Sequence, residues 1–280
     1  MVALTARAAA LSCCALSTSC AHLDVRLSSF MSPDHGISSA RLPPGYTVEN
    51  RILRRGTQTI GITYAHHPRS RMVILYSGGD AFHRSLEGAV PLQALALGAD
   101  VALFDYPGYG DTSGTPTTAS VLDTIVAAYD HLFSLDSTKG KARVLYGFSL
   151  GGMVVAQLAQ DRHADAVVLE ATATTVGSWA HSRVPLLMRP FVRVRVEPQI
   201  STLDSAAALD HFPGRILVIT SRADEMVPAA ESIRLVRRLL ATRRDVRVYE
   251  FPGRRHGSIM TDAAFGSRLS DFLERVRATP

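Results

Sequence analysis

Arg143-Val144-Leu145-Tyr146-Gly147-Phe148-Ser149-Leu150-Gly151-Gly152-Met153-Val154-Val155 is the stretch that decides how this chain folds. RVLYGF (143–148) has the apolar, β-branched and aromatic character of a buried strand, and MVVAQLAQD (153–161) that of a helix. Between them Ser149 stands with Gly147 two residues before it and Gly151 two residues after. A chain that turns so sharply from strand to helix packs backbone on backbone, which only very small residues at those two positions allow. The turn lifts the serine hydroxyl above the sheet, and the helix N-terminus sets partial positive charge beside it.

Outward from this turn the same alternation continues. MVILYS (72–77), VALFDY (101–106), AVVLE (166–170), RILVIT (215–220) and VRVYEF (246–251) read as further buried strands. Helical stretches lie near 86–97, 117–134, 150–161, 229–241 and 262–277. Strand–helix alternation predicts an α/β fold, a mostly parallel central sheet with helices on both faces. Before it, YTVENRIL and TQTIGITYAHH alternate β-branched with polar residues, which predicts an antiparallel pair turning at Arg55-Gly56. The expected organisation is a core of 46–170 and 215–280, with 171–214, too long for one crossover, as a short inserted cap.

With 280 residues, 46% hydrophobic and 20% charged, the chain is long enough to bury a large core, and its mixed charge excludes wholesale disorder. The net charge is +5, and Lys occurs only at 139 and 141, which leaves 28 of the 30 basic residues as Arg. No basic stripe interleaved with base-reading residues accompanies that excess, so no nucleic-acid partner is expected. All three cysteines, Cys13, Cys14 and Cys20, precede the globular part, so no disulfide is expected. Residues 1–20 run from one Arg through a short apolar stretch to small residues, the layout of a bacterial export signal. Leu16-Ser17-Thr18-Ser19-Cys20 offers an imperfect lipobox, leaving Cys20 lipidated, and Ser19-Cys20-Ala21 the alternative of a small-x-small cleavage site. Export to the cell envelope is the expected localisation, and 21–45 reads as a tether.

A serine hydroxyl attacks carbonyls only when a base takes its proton. His256 lies in Phe251-Pro252-Gly253-Arg254-Arg255-His256-Gly257, after the last strand, from which loop it reaches the sheet's C-terminal edge. His66, His67, His83, His131, His163 and His211 fit that position less well. The base needs an orienting acid, and Asp224 follows the strand RILVIT directly, with Glu225 beside it and Glu170 at the end of an earlier strand as competitors. An oxyanion forming on the substrate needs two N–H donors; Leu150, next after the serine, and Gly79, in Ser77-Gly78-Gly79-Asp80, are the candidates. No H-E-x-x-H or His/Cys cluster calls for a metal, and the chemistry calls for no cofactor.

Together these residues resemble the α/β-hydrolase superfamily over about 46–278, nearest to small serine hydrolases of the depalmitoylase-like branch. The order Ser149, Asp224, His256 is that superfamily's order. Ser77-Gly78-Gly79-Asp80 is similar to its His-Gly-Asn oxyanion loop, with Ser77 in place of the His. The stretch 104–114 (FDYPGYGDTSG) is similar to its D-x-R-G-Y-G-x-S-x-G stretch, with Pro107 in place of the Arg and Asp105 expected in loop architecture.

The expected function is a serine hydrolase acting on carboxylic esters or thioesters through an acyl-enzyme. A peptidase of aminopeptidase type would need an acid in the cap to grip an amine, and 171–200 offers only Glu197. A non-catalytic envelope binding protein would be expected to lack a member of the triad. In the cap, Trp179 is the only Trp, and 184–196 (VPLLMRPFVRVRV) interleaves apolar residues with Arg. Those residues either line an acyl pocket with Arg directed at lipid head groups of a membrane surface, or pack on the sheet edge with a wetted Arg face.

Overall fold

Full burial of every residue of MVILYS and AVVLE forces those segments into the middle of a sheet covered on both faces, and the rest of the fold is arranged around them. The structure, a computed structural model, describes residues 21–31, 42–84, 89–242 and 245–277. The expected export signal and Cys20 lie outside the described residues. In chain order the elements are β1 (Ala21–Val25), β2 (Thr47–Arg55), β3 (Gln58–His66), β4 (Met72–Ser77), α1 (Ala89–Ala96) and β5 (Asp100–Phe104). Next come α2 (Thr118–Ser134), β6 (Ala142–Phe148), α3 (Leu150–Asp161), β7 (Ala166–Glu170), α4 (Val176–Arg183) and β8 (Val192–Val196). The chain continues through α5 (Pro198–Ser201), α6 (Ser205–Ala208), β9 (Arg215–Thr220), α7 (Ala229–Thr242), β10 (Val246–Glu250) and α8 (Phe265–Arg277).

Eight strands form the main sheet in the order β10-β9-β7-β6-β4-β5-β3-β2. All are parallel except β3, which pairs antiparallel with both β2 and β5. The expected α/β sheet and its leading hairpin are both present. α1 and α8 pack on one face, where Val90, Leu95, Phe265, Phe272 and Leu273 are buried. α2, α3 and α7 pack on the other through Val121, Ile125, Val154, Val155 and Leu235. From β4 the chain winds to β5 on one side and returns to β6 on the other, so a crevice opens at the C-terminal ends of β4 and β6.

The segment 21–45, expected as a tether, begins differently. β1 pairs in parallel with β8 of the 171–214 insertion, and Val25, Leu27 and Met31 are buried in the same core as α2 and α3. The Leu27 N–H donates to Glu197 Oε2 at 3.1 Å and the Glu197 N–H to the Val25 carbonyl at 2.9 Å. Only single apolar residues spaced along a Ser- and Pro-rich stretch carried this, too sparse a pattern to announce a strand whose partner lies 171 residues later (192 − 21).

Candidate active site

Ser149 closes the turn between β6 and α3 with φ 54° and ψ −117°, a left-handed backbone that a side chain rarely accepts. Its surroundings leave no alternative. A Cβ on Gly147 would come within 2.3 Å of the Gly151 carbonyl oxygen, and one on Gly151 within 2.0 Å of the Ser77 carbonyl oxygen. The Ser149 N–H donates to the Glu170 carbonyl at 2.8 Å, and Thr172 Oγ1 donates to the Ser149 carbonyl at 2.6 Å. A serine at a helix start usually caps the helix with its hydroxyl. Here the hydroxyl makes no cap and lies 3.0 Å from His256 Nε2.

On the other side of that ring, His256 Nδ1 lies 2.8 Å from Asp224 Oδ2 and 3.0 Å from Oδ1. Asp224 is buried, and its Oδ1 also accepts the N–H groups of Met226 at 2.8 Å and Val227 at 2.7 Å. An ionised carboxylate only accepts, so Nδ1 is the donor and Nε2 of a neutral ring is left as the acceptor for the Ser149 hydroxyl proton. The Phe148 ring lies 4.9 Å from the imidazole, centroid to centroid, and fixes its tilt.

The competing acids hold other positions. Glu225 accepts the His256 backbone N–H at 3.2 Å and Arg255 Nε at 3.1 Å, so it clamps the loop and not the ring. Its own N–H, the His256 N–H and the Arg255 guanidinium together hold its carboxyl down to about 2. Glu170 is fully buried, accepts the Tyr146 hydroxyl at 2.6 Å, and is pushed up to about 7 by that burial.

The loop after β4 comes against the serine: a Cβ on Gly79 would lie 3.4 Å from the Phe148 ring and 3.7 Å from Ser149 Cβ. Tyr106 holds this loop, donating its hydroxyl to the Gly78 carbonyl at 2.8 Å and thereby accepting from Ser77 Oγ at 2.7 Å. Asp105 is buried with Arg84, at 2.8 Å from Nε and 2.8 Å from the backbone N–H, and Arg84 also pairs with Asp111. Pro107 brings no guanidinium to this stretch, and Arg84, in the loop after β4, brings one to Asp105. Burial raises the Asp105 carboxyl against the opposing pull of Arg84.

A pocket of about 110 Å³ opens over Ser149, lined mainly by Phe30, Met153, Val176, Trp179 and Val227, with Asp80 and His256 at its polar side. Typical drug-sized sites are several times larger. No residue of 184–196 lines it, so the acyl-pocket alternative for this run is not met, and Leu186, Leu187, Met188 and Phe191 are exposed where the packing alternative would bury them. The pocket wall comes instead from α3, from α4 and from Phe30, whose ring meets Trp179 edge-on at 5.2 Å. Sequence reasoning missed Phe30 because the stretch that holds it reads as a tether. Asp80 was visible in the oxyanion loop, though nothing in the sequence aimed it at the pocket. α4 is tied to the loop of Asp224, Trp179 Nε1 donating to the Met226 carbonyl at 2.7 Å and Arg183 to the Glu225 carbonyl. Glu197, the acid an aminopeptidase would need, is engaged by Leu27 outside the pocket. Among the described residues no group of His, Cys, Asp and Glu is placed to hold a metal ion.

A family described as the alpha/beta hydrolase fold matches residues 72–193. An uncharacterised protein of Mycobacterium tuberculosis is 34% identical over 238 residues, covering 81% of this chain and 80% of its own. The chain belongs to the α/β-hydrolase superfamily. Among its other members, protein bem46 of Schizosaccharomyces pombe is 26% identical over 212 residues, 74% of this chain and 68% of that one. The same hydrolase fold appears in the esterase Pf2001 of Pyrococcus furiosus, with a TM-score of 0.68 at 16% identity over 89% of this chain and 98% of that one. Est1E of Butyrivibrio proteoclasticus, solved with ferulic acid bound, superposes with a TM-score of 0.66 at 16% identity over 82% of this chain and 100% of that one.

Proposed function

We propose that this α/β-hydrolase is a serine esterase that cleaves carboxylic esters or thioesters with a compact acyl group through an acyl-enzyme. The observation that carries the reading is the unbroken line from Ser149 Oγ through His256 to the buried Asp224, at 3.0 and 2.8 Å. In this reading Ser149 Oγ attacks the carbonyl carbon while His256 Nε2 takes its proton, and Asp224 stabilises the imidazolium that forms. The Leu150 and Gly79 N–H groups hold the oxyanion. His256 then returns the proton to the leaving alcohol or thiol, water adds to the acyl-enzyme with His256 as base, and the acid departs. The pocket of about 110 Å³ supports a short acyl chain over a long one. Export directed by residues 1–20, and work against a membrane surface in the cell envelope, belong to the same reading.

A fluorophosphonate probe and a panel of p-nitrophenyl esters from two to twelve acyl carbons, run beside an aminoacyl anilide, test it. Labelling at Ser149 with turnover greatest on short esters is the expected outcome. A wild-type chain that takes no label and turns over no ester would overturn the assignment.

A further inference from the structure

Four large apolar side chains on the insertion face solvent together. Leu186 is 73% exposed, Leu187 85%, Met188 49% and Phe191 61%, all within one turn-rich run, Leu186–Phe191, that follows α4. The core uses none of them, and the pocket over Ser149 is lined by other residues. Exposed leucine and phenylalanine in such density mark a contact surface and not a stray residue.

Charge identifies what the surface meets. Arg189 sits inside the run, half-buried with its Nε donating to the Val184 carbonyl at 3.1 Å, and Arg193 and Arg195 are exposed on β8 immediately after it. Arg195 lies 3.2 Å from His22 on β1, and Asp24 pairs with Arg195 in register. Apolar side chains ringed by arginine match a bilayer with anionic head groups: the chains enter the acyl boundary and the guanidiniums stay among the phosphates. Connectivity agrees. Ala21 pairs with Val192, one residue past Phe191, so the segment 1–20 with its apolar run Ala8–Leu11 joins the fold beside this patch.

We propose that the run Leu186–Phe191, with Arg189, Arg193 and Arg195, is the surface by which this protein docks on an anionic lipid bilayer. This gives the membrane contact of the proposed function its location, and rests on that part of the reading and not on the ester chemistry. Because α4 joins the pocket wall to the docking run, a molecule seated this way carries its pocket close to the lipid.

Flotation of the full chain with vesicles is the test, phosphatidylcholine alone against phosphatidylcholine with one third phosphatidylglycerol. The wild type is expected to float with the anionic vesicles and to be released as salt rises. L187D/F191D should lower the bound fraction at least tenfold, and R193Q/R195Q should weaken binding roughly fivefold per arginine. Both variants should hydrolyse a soluble p-nitrophenyl ester at the wild-type rate, since the replaced side chains are exposed and outside the site. Equal flotation of L187D/F191D and wild type would move the membrane contact to residues 1–20 and overturn the docking surface. A wild type that binds neither vesicle would end the membrane reading itself. A dimer that forms with concentration and is dissolved by L187D/F191D would assign the patch to a second copy and overturn the proposal.

Discussion

The turn at Gly147–Gly152 and the insertion at 171–214 meet over one pocket and are built by opposite means. At the turn, backbone touches backbone: the spaces beside Gly147 and Gly151 are closed by carbonyl oxygens at 2.3 and 2.0 Å. In the insertion, side chains make the fit. Thr175 caps α4 with its hydroxyl, Trp179 reaches the Met226 carbonyl, and Phe30 arrives from the far end of the chain to complete the wall. A backbone-locked region tolerates no adjustment and suits chemistry that is the same for every substrate. A region assembled from side chains changes shape with single substitutions and suits choice among substrates. Changes in the first should therefore scale all rates together, and changes in the second should alter ratios between substrates.

The hardest test of that division is S149A. It should lower kcat by about 10⁶ on every ester while the thermal unfolding curve stays in place, because only a hydroxyl is removed. Measured loss confined to some acyl lengths would break the division. Next in size is D224N, expected to lower kcat by about 10⁴ across the same panel, because the wrong tautomer is then favoured at His256. E225Q, which alters the loop clamp and not the ring, should cost less than about tenfold, as measured on the same esters. If E225Q were the more damaging of the two, the acid assignment would pass to Glu225.

This division also separates what the sequence revealed from what it hid. The turn was legible because all its constraints are local: Gly147, Ser149 and Gly151 fall within five residues and sit between two unmistakable elements. Asp224 was legible because it follows the buried strand β9, and His256 because its loop follows β10, an edge strand only partly buried where a fully buried one was expected; strand ends of a parallel sheet share one edge. The hairpin was read nearly to its turn, which falls between Arg55 and Gln58. β1 and β8 were not, because VRVRV and AHLDV become strands only by pairing with each other, and neither segment has a second partner to reinforce its pattern. The Arg84–Asp105 pair was hidden for a similar reason. Its two members lie on different loops, and the position where an Arg was looked for holds Pro107.

Glu170 sits on the border of the two regions, at the end of β7 where the insertion begins, and its carboxyl gives a stability test. Burial pushes it up to about 7 from an ordinary 4.5, opposed by the Tyr146 hydroxyl and by His256, while Asp224 adds to the rise. Below about 4.5 the group is protonated in folded and unfolded chains alike. As pH climbs from there to about 7, the unfolded chain gives up a proton that the folded chain keeps, so stability falls across that window and levels off above it. At about 1.4 kcal/mol per pH unit, the loss is roughly 3 kcal/mol. E170Q should remove this slope, seen as a Tm that declines less between pH 4.5 and 7 than in the wild type. Parallel Tm profiles for the two proteins would show that Glu170 ionises without cost, and that the base of the insertion is wetter than its packing implies.

A shift in the ratio between substrates is the most informative about choice. Phe30 comes from outside both the sheet and the insertion, yet its ring stands edge-on to Trp179 at 5.2 Å and narrows the pocket over Ser149. Removing that ring in F30A opens space at the far wall without touching the serine, the imidazole or the carboxylate. Each acyl methylene that gains an apolar wall in place of water is worth about 1 kcal/mol. The space left by one ring admits one or two methylenes, so kcat/KM for an eight-carbon ester relative to a two-carbon ester should rise about tenfold in F30A, with the two-carbon rate nearly unchanged. F30W should move the ratio the other way. A uniform fall on both esters would mean that the arm supports the turn and not the pocket, and the line between a fixed chemical centre and an adjustable wall would have to be redrawn around Phe30.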